Sequence, residues 1–120
     1  MVPSADNILE INRRVGGGIV NKGAIEFLLS KIESKRIEDD HKRSIAKISA
    51  MIWMDIIQHH PFIDGNKRTA TEAMKLFLRK NGLRLNTSTA GMAYTSLKIA
   101  NNEMHYEKLV EWIYDRLMKG

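Results

Sequence analysis

The chain has 120 residues, of which 43% are hydrophobic, a size and composition that predict one globular domain with one core. It contains no cysteine, which excludes disulfide frameworks, thiolate metal sites and cysteine nucleophiles and agrees with a reducing compartment. The net charge of +5 and the pI of about 9.6 favour anionic partners such as nucleotides, nucleic acid or an acidic protein surface, although a solvated basic surface gives the same balance.

The N-terminus, "MVPSAD", lacks the basic and then apolar pattern of a signal peptide. No apolar run in the chain approaches the length that is needed to cross a bilayer. We therefore expect a soluble, cytoplasmic protein that has no membrane partner.

The first elements are two helices separated by a glycine-rich segment. Ser4 or Asp6 is predicted to cap a helix that ends near Arg13. Three consecutive glycines in "VGGGIVNKG", residues 15–23, then predict a flexible or tightly turned segment or a short extended flap. Apolar residues at helical spacing predict a second helix over 24–33, and the charged stretch that follows it is expected to be a solvated connection.

The strongest helical pattern covers residues 42–58, where isoleucines at positions 45, 48, 52 and 56 recur at helical spacing with Trp53 beside them. We expect this helix to be the most buried element. Pro61 ends the helix or lies just beyond it, because proline disfavours the helical conformation of the residue that precedes it.

Further elements follow a polar loop at residues 59–70. Helical spacing resumes from Ala70 to Leu78, and Gly82 is predicted to terminate that helix. Residues 83–85 are expected to be extended, and Ser88 or Thr89 to cap another helix. The last helix carries its apolar stripe on residues 106, 109, 110, 113 and 117. At least five helices in one small domain predict an all-α bundle, with the polar loop between its two central helices.

That loop, "HHPFIDGNKRTA", is more highly charged than a connection between helices needs to be. A new helix is predicted to begin between Gly65 and Lys67, and the unpaired N–H groups and positive dipole of a helix start bind anions such as phosphate. Gly65 allows a ligand to approach the backbone. Lys67 and Arg68 add two cations in the same turn, where they oppose the helix dipole unless an anion is bound.

His60 and Asp64 lie in the same loop. Histidine is the side chain best suited to take a proton near neutral pH, and the carboxylate of Asp64 is a hard oxygen ligand suited to a magnesium ion that also binds phosphates. Asn66 can hydrogen-bond and fix the turn. Each residue alone also fits a structural role, as a surface histidine, an Asp-Gly turn or solvent-facing cations. Together they favour a site that holds an anionic ligand and reacts with it.

The loop closely resembles the signature of the Fic/Doc (Fido) family, H-P-F-x-x-G-N-G-R-x-x-R. The matching residues are His60, Pro61, Phe62, Gly65, Asn66 and Arg68, and Asp64 occupies the acidic position that the family favours. Lys67 replaces the second glycine, and Thr71 stands in place of the second arginine. Both departures resemble the Doc (death-on-curing) branch, whose motif ends in N-K-R-T-A, and the likeness continues through residues 76–85.

The resemblance implies a Fido-type fold and an enzyme that uses ATP and Mg²⁺ to modify a hydroxyl of a target protein. It implies that His60 is the general base, that Asp64 binds the metal, and that the phosphates are held by Gly65, Asn66, Lys67 and Arg68. Fic members usually transfer AMP, whereas Doc members resemble protein kinases. We expect Doc-like transfer of the γ-phosphate, because Lys67 fills space and adds charge where the nucleotide binds, so that another phosphorus faces the hydroxyl. AMP transfer is the alternative.

The resemblance also implies partners. The target is a protein, with a translation factor as one candidate, and a Doc-type toxin is restrained by a separate antitoxin protein. The family's inhibitory pattern, S/T-x-x-x-E-G/N, is not met, since Asp39 follows its nearest counterpart at residues 34–38. Nucleic acid is not expected as the substrate. The glycine-rich segment corresponds either to the flap that aligns a target by strand addition or to a flexible loop.

Three other functions remain open. A metal-dependent phosphohydrolase would use His59, His60 and Asp64 as ligands, with further ligands from distant helices. A degenerate Fido domain would bind nucleotide without transferring any part of it. A non-enzymatic module for nucleotides or nucleic acid would carry cations along one exposed helix face, and a weak version of such a face is offered by Lys75, Arg79 and Lys80.

Overall fold

The computed structural model describes residues 3–14, 22–34, 40–59 and 65–120. Within these ranges the elements are α1 (Ala5–Arg14), α2 (Lys22–Ser34), α3 (His41–His59), α4 (Asn66–Lys80), β1 (Leu83–Leu85), α5 (Thr89–Ala100), α6 (Tyr106–Arg116) and β2 (Leu117–Lys119). The predicted all-α bundle is confirmed, and two short strands are added to it. None of the described helices is both long and apolar enough to cross a membrane.

The start of α1 is fixed by a reciprocal pair of hydrogen bonds. The backbone N–H of Asn7 donates to Ser4 Oγ at 3.1 Å, and the backbone N–H of Ser4 donates to Asn7 Oδ1 at 3.0 Å. Each side chain thereby satisfies an N–H group that the helix itself leaves unpaired. Of the two predicted caps, Ser4 is the one that the structure uses.

Helix α3 lies at the centre of the bundle and packs against α2, α4, α5 and α6. Ten of its residues are buried, including Trp53, whose side chain is fully enclosed. Burial of a large apolar side chain contributes about 1.5–3 kcal/mol, so this helix supplies much of the hydrophobic stabilisation. The prediction that residues 42–58 form the most buried element is confirmed, with one more residue at each end.

Helix α4 ends where the sequence predicts, but the chain beyond α6 does not continue as expected. Gly82 has a φ of 73°, in the left-handed region that glycine adopts readily, and it directs the chain into β1. Leu117, predicted to lie on the last helix, is instead the first residue of β2 and pairs with Leu85 in an antiparallel register. The prediction was wrong because an apolar residue at this spacing is expected to be buried in a helix or in a strand, and Leu117 is buried here as part of β2, which pairs with β1.

Helix α5 begins with a side-chain cap. The backbone N–H of Gly91 donates to Ser88 Oγ at 2.9 Å, which confirms Ser88 rather than Thr89 as the cap. A Cβ atom at position 91 would lie 2.7 Å from Thr87 Oγ1, so a larger residue there would have to displace the Thr87 side chain.

Candidate active site

The predicted active-site loop runs from the end of α3 at His59 to the start of α4 at Asn66. His60 and Asp64, the predicted base and metal ligand, lie outside the residues that the structure describes, as does Phe62. The same holds for residues 15–21 of the predicted flap and for residues 35–39 of the charged connection. The structure therefore describes the phosphate-binding half of the predicted site, residues 65–68.

Gly65 provides the entry to α4. Its φ of 74° and ψ of 17° place it in the left-handed region, where a glycine carries no steric penalty. Its carbonyl accepts a hydrogen bond of 2.8 Å from the backbone N–H of Thr69, which closes the first turn. Having no side chain, Gly65 cannot cap α4 as Ser88 caps α5. The first turn of α4 therefore begins without a side-chain cap, an arrangement in which helix starts can bind anions.

The charge of this first turn is entirely positive. It contains no acidic residue, and the side chains of Lys67 and Arg68 are both exposed. Neither of them has an ion pair with a carboxylate among the residues that the structure describes. Asn66 is half-buried beside them. Cations at a helix start oppose the helix dipole, so an anion bound here would offset an unfavourable local field.

A buried hydrogen bond attaches this turn to α1. Asn12 Nδ2 donates to Thr69 Oγ1 at 3.0 Å, and both residues are almost fully buried. A buried polar group without a partner costs about 1–3 kcal/mol, so the pair holds the two helices in one register. Asn12 was not predicted to be functional, although it shares the buried face of α1 with Ile8 and Ile11, and a polar residue on an apolar face was the available signal.

A second buried cluster attaches α4 to α3 and α5. Trp53 Nε1 lies 3.0 Å from Thr71 Oγ1 and 3.1 Å from Ser96 Oγ, and the two hydroxyls are 3.0 Å apart. Thr71 Oγ1 also lies 2.9 Å from the carbonyl oxygen of Lys67. The ring of Trp53 packs against that of Trp112, with centroids 5.8 Å apart. Thr71, which stands in place of the family's second arginine, is thus occupied in fixing the first two turns of α4.

A cavity of about 680 Å³ opens beside these turns, between α4, β1 and α5. Lys67, Arg68 and Thr71 line the end that is nearest the start of α4. A smaller cavity of about 260 Å³ lies between α1 and α4, and Arg68 lines it too. Arg68 therefore lines both cavities, whereas Lys67 lines only the larger of the two.

The histidines at the two ends of α3 bear on the phosphohydrolase alternative. His41 begins α3 and His59 ends it, eighteen residues later, so their backbones are about 27 Å apart along the helix axis. The two cannot bind one metal ion. Within the described ranges, no three histidine or acidic residues come together as a metal site.

Comparison with known proteins agrees with the architecture and the loop. The family model "Fic/DOC family" matches residues 4–78, which is more than half of the chain and includes the whole loop. A curated relative, "Protein kinase doc" of Escherichia phage P1, is 31% identical over 74 residues, which make up 60% of this chain and 58% of the relative. The chain thus spans a little more than half of that relative's length. With the helical bundle and the open start of α4, this match shows that the chain belongs to the Fic/Doc family.

Proposed function

We propose that this protein transfers the γ-phosphate of ATP to a hydroxyl of a target protein in the cytoplasm. The observation that carries the proposal is the start of α4, where Gly65 offers no side-chain cap and Lys67 and Arg68 follow, two cations with which no described carboxylate forms an ion pair. Such a turn suits the phosphates of a nucleotide. The relative whose printed name is a protein kinase supports phosphate as the transferred group.

In the proposed reaction, His60 takes the proton of the target hydroxyl. The hydroxyl oxygen forms a bond to the γ-phosphorus, the bond from that phosphorus to the β–γ bridging oxygen breaks, and ADP leaves with the electron pair. Lys67 and Arg68 hold the phosphate oxygens, and Gly65 lets them approach the backbone. Asp64 would hold Mg²⁺, which supplies charge neutralisation to the phosphates when it is bound.

Transfer of AMP is the second candidate, and it differs in the phosphorus that is attacked. There the hydroxyl oxygen bonds to the α-phosphorus and pyrophosphate leaves. Two residues favour phosphate transfer. Lys67 adds a side chain and a charge where AMP-transferring relatives have glycine. Thr71 supplies no cation, because threonine is uncharged, and its hydroxyl is occupied in the cluster with Trp53 and Ser96.

The test uses ATP that is labelled on either the α- or the γ-phosphate, incubated with the purified protein and a cell lysate. We expect label on protein from the γ-position only, and loss of at least about 100-fold in the His60→Ala variant, since a general base contributes about 10²–10⁴-fold. Label from the α-position would establish AMP transfer instead. No label from either position, with the variant equally silent, would exclude the enzyme and favour a nucleotide-binding module.

We further propose that a separate antitoxin protein restrains this activity in the cell. Expression of the wild-type chain should then arrest growth, whereas the His60→Ala variant should not. A translation factor is a candidate target, and it can be sought among the lysate proteins that acquire the γ-label. Growth arrest that persists in the His60→Ala variant would separate toxicity from phosphate transfer.

A further inference from the structure

The smaller cavity, which we call the α1–α4 cavity, is strongly basic. Its volume of about 260 Å³ is below the range of about 300–1,000 Å³ in which whole small molecules bind, so the cavity suits a phosphate group rather than a nucleotide. Three arginines, one carboxylate and two apolar residues line it, namely Arg14, Arg68, Arg79, Glu72, Ile11 and Leu76. Like charges around one small cavity repel each other, and a bound anion would relieve that repulsion.

The charge of this cavity is not neutralised by the surrounding protein. Among the residues that the structure describes, none of the three arginines forms an ion pair with a carboxylate. Glu72, the one acidic residue in the lining, instead lies 3.5 Å from Lys75 Nζ, one turn along the same helix. The cavity therefore retains an excess of positive charge, which favours an anionic occupant.

Two hydrogen bonds fix the direction in which α1 lies against α4. Lys80 Nζ donates to Asn7 Oδ1 at 3.5 Å near one end, and Asn12 Nδ2 donates to Thr69 Oγ1 at 3.0 Å near the other. The two helices are therefore antiparallel, and the last turn of α1 lies beside the first turn of α4. Arg14 follows Asn12 by two residues, which is about 3 Å along the helix axis and places it level with the start of α4.

Arg14 and Arg68 consequently share one end of the α1–α4 cavity. Arg79 lies eleven residues after Arg68, about 17 Å further along α4, and so belongs to the opposite end. Arg68 also lines the larger cavity, together with Lys67. The pair of Arg14 and Arg68 therefore adjoins the turn to which the proposed function assigns the phosphates.

This pairing coincides with a gap in the sequence motif. The Fic/Doc signature has a second arginine three residues after the first, and here Thr71 stands at that position. Its hydroxyl is occupied by contacts with Trp53 and Ser96. Although α4 itself supplies no second guanidinium in this turn, α1 brings one to the same place through Arg14.

The position of Arg14 in its own helix does not by itself explain this placement. Arg13 and Arg14 both lie in the last turn of α1, where the helix dipole favours a cation of either kind. They differ in their surroundings. Arg13 pairs with Glu10 at 3.1 Å and is not part of the cavity lining, whereas Arg14 lines the cavity. The two adjacent arginines therefore form a matched pair for experiment.

We propose that Arg14 is a further phosphate-binding residue, whose guanidinium holds the same phosphate group of ATP as Arg68 but from the neighbouring helix. The inference rests on the proposed function, because it takes the start of α4 as the phosphate site. A guanidinium donates two parallel N–H groups to phosphate oxygens, so two arginines on different helices fix both the position and the orientation of the phosphate.

The first test measures binding of a fluorescent ATP analogue by anisotropy. Arg14→Ala should weaken binding about tenfold, as expected for loss of a hydrogen bond between charged groups. Arg14→Lys retains the charge but not the planar pair of donors, and should weaken binding about threefold. Arg13→Ala removes the same charge one residue away and should bind as the wild type does. Equal effects of Arg13→Ala and Arg14→Ala would overturn the proposal.

A double-mutant cycle tests whether the two arginines hold one phosphate. The combined variant of Arg14→Ala and Arg68→Ala should lose less affinity than the product of the two single losses, because each change alone already disrupts the shared grip. Thermal unfolding of each variant checks that it is folded. Losses that simply multiply would mean that the two arginines bind separate groups, which contradicts the proposal.

Inorganic tripolyphosphate distinguishes a shared phosphate site from a separate anion site. It carries a chain of phosphates without the nucleoside, and it should displace the ATP analogue from the wild type. Displacement from Arg14→Ala should require about tenfold more tripolyphosphate, since the lost contact is with phosphate alone. If tripolyphosphate binds in calorimetry without displacing the ATP analogue, the α1–α4 cavity is an independent anion site and the proposal fails.

Transfer from γ-labelled ATP separates failure of this inference from failure of the proposed function. Arg14→Ala should raise the KM for ATP about tenfold and change kcat by less than about threefold, the pattern that follows when a binding contact is lost. A wild type that transfers phosphate, with an unchanged KM in Arg14→Ala, would overturn the role of Arg14 alone. A wild type that does not bind the ATP analogue would overturn the proposed function as well.

Discussion

The starts of α4 and α5 are built in opposite ways. α5 begins with Ser88, whose hydroxyl accepts a hydrogen bond from the Gly91 N–H, so that the chain satisfies its own helix start. α4 begins with Gly65, which has no side chain to offer, and Lys67 and Arg68 follow where acidic residues would be favourable. Ser88 thus satisfies the start of α5 from within the chain. Under the proposed function, the start of α4 instead serves the phosphates of the nucleotide, at some cost to the stability of the helix.

Gly65→Ala is expected to have the largest effect on phosphate transfer, because it changes the residue that begins α4. The added Cβ disfavours the left-handed conformation by about 1 kcal/mol and moves the first turn of α4, and a shift of about 1 Å in a catalytic group can lower a rate about 100-fold. We therefore expect phosphate transfer to fall about 100-fold, measured with γ-labelled ATP. Gly82→Ala is the matched control: Gly82 has nearly the same φ, and nothing lies within 4 Å of its added Cβ. It should lose similar stability and keep its activity.

Lys67→Gly tests whether Lys67 determines which phosphorus of ATP faces the target hydroxyl. Loss of a charged partner of the phosphates should lower γ-phosphate transfer about tenfold, because a hydrogen bond to a charged group contributes about 1.5–3 kcal/mol. The space that is released should also allow some AMP transfer, detected as label from the α-position. Lys67→Ala separates the two effects, since it removes the charge but retains a Cβ atom. If neither variant changes the ratio of the two labels, Lys67 does not select the transferred group.

Asn12→Ala removes a buried hydrogen bond that holds the first turn of α4 against α1, although Asn12 is not one of the proposed phosphate-binding residues. The Thr69 hydroxyl loses its buried donor, and we expect the free energy of unfolding to fall by about 2 kcal/mol. Transfer activity should fall as well, because the first turn of α4 is no longer held against α1. Asn7→Ala loses a capping side chain on the same helix and is the control, with an expected loss of about 1 kcal/mol and no change in activity. Chemical denaturation with the labelled-ATP assay measures both quantities.

Ser88→Ala should have the smallest effect and only on stability. Removing a serine cap costs about 1 kcal/mol, and the start of α5 takes no part in the proposed reaction. Activity at a temperature well below the unfolding transition should equal that of the wild type. A loss of activity in this variant would mean that the two helix starts are not functionally distinct.

Much of the fold follows from patterns that repeat along the chain. The isoleucine spacing places α3 to within a residue of its ends, and Ser4, Gly82 and Ser88 mark boundaries because capping depends on local chemistry. Leu117 was assigned to the wrong element, because its burial suits either conformation and its strand partner lies more than thirty residues earlier.

The candidate site was predictable only in its local part. Gly65, Lys67 and Arg68 lie in one turn, so their combined chemistry can be inferred from neighbouring positions in the sequence. The supporting contacts join distant positions, as Asn12 does with Thr69 and Trp53 with Ser96, and no periodic pattern marks such pairs. The cavity between α4, β1 and α5 is likewise a product of how helices and strands pack. The roles of His60 and Asp64 rest on side-chain chemistry and on the family resemblance, and they remain predictions.

The packed pair of Trp53 and Trp112, which contacts α4 through Thr71, allows changes near the start of α4 to be followed by tryptophan fluorescence. Trp53 and Trp112 are the chain's two tryptophans, so its tryptophan fluorescence arises from this one location. Trp53 is fully enclosed and hydrogen-bonded to Thr71 in the second turn of α4. Emission from an enclosed indole lies at shorter wavelength than emission from one in water, and a change in its hydrogen bonding alters that spectrum. Movement at the helix start therefore carries an unlabelled spectroscopic signature, which can be followed in real time as ligands are added.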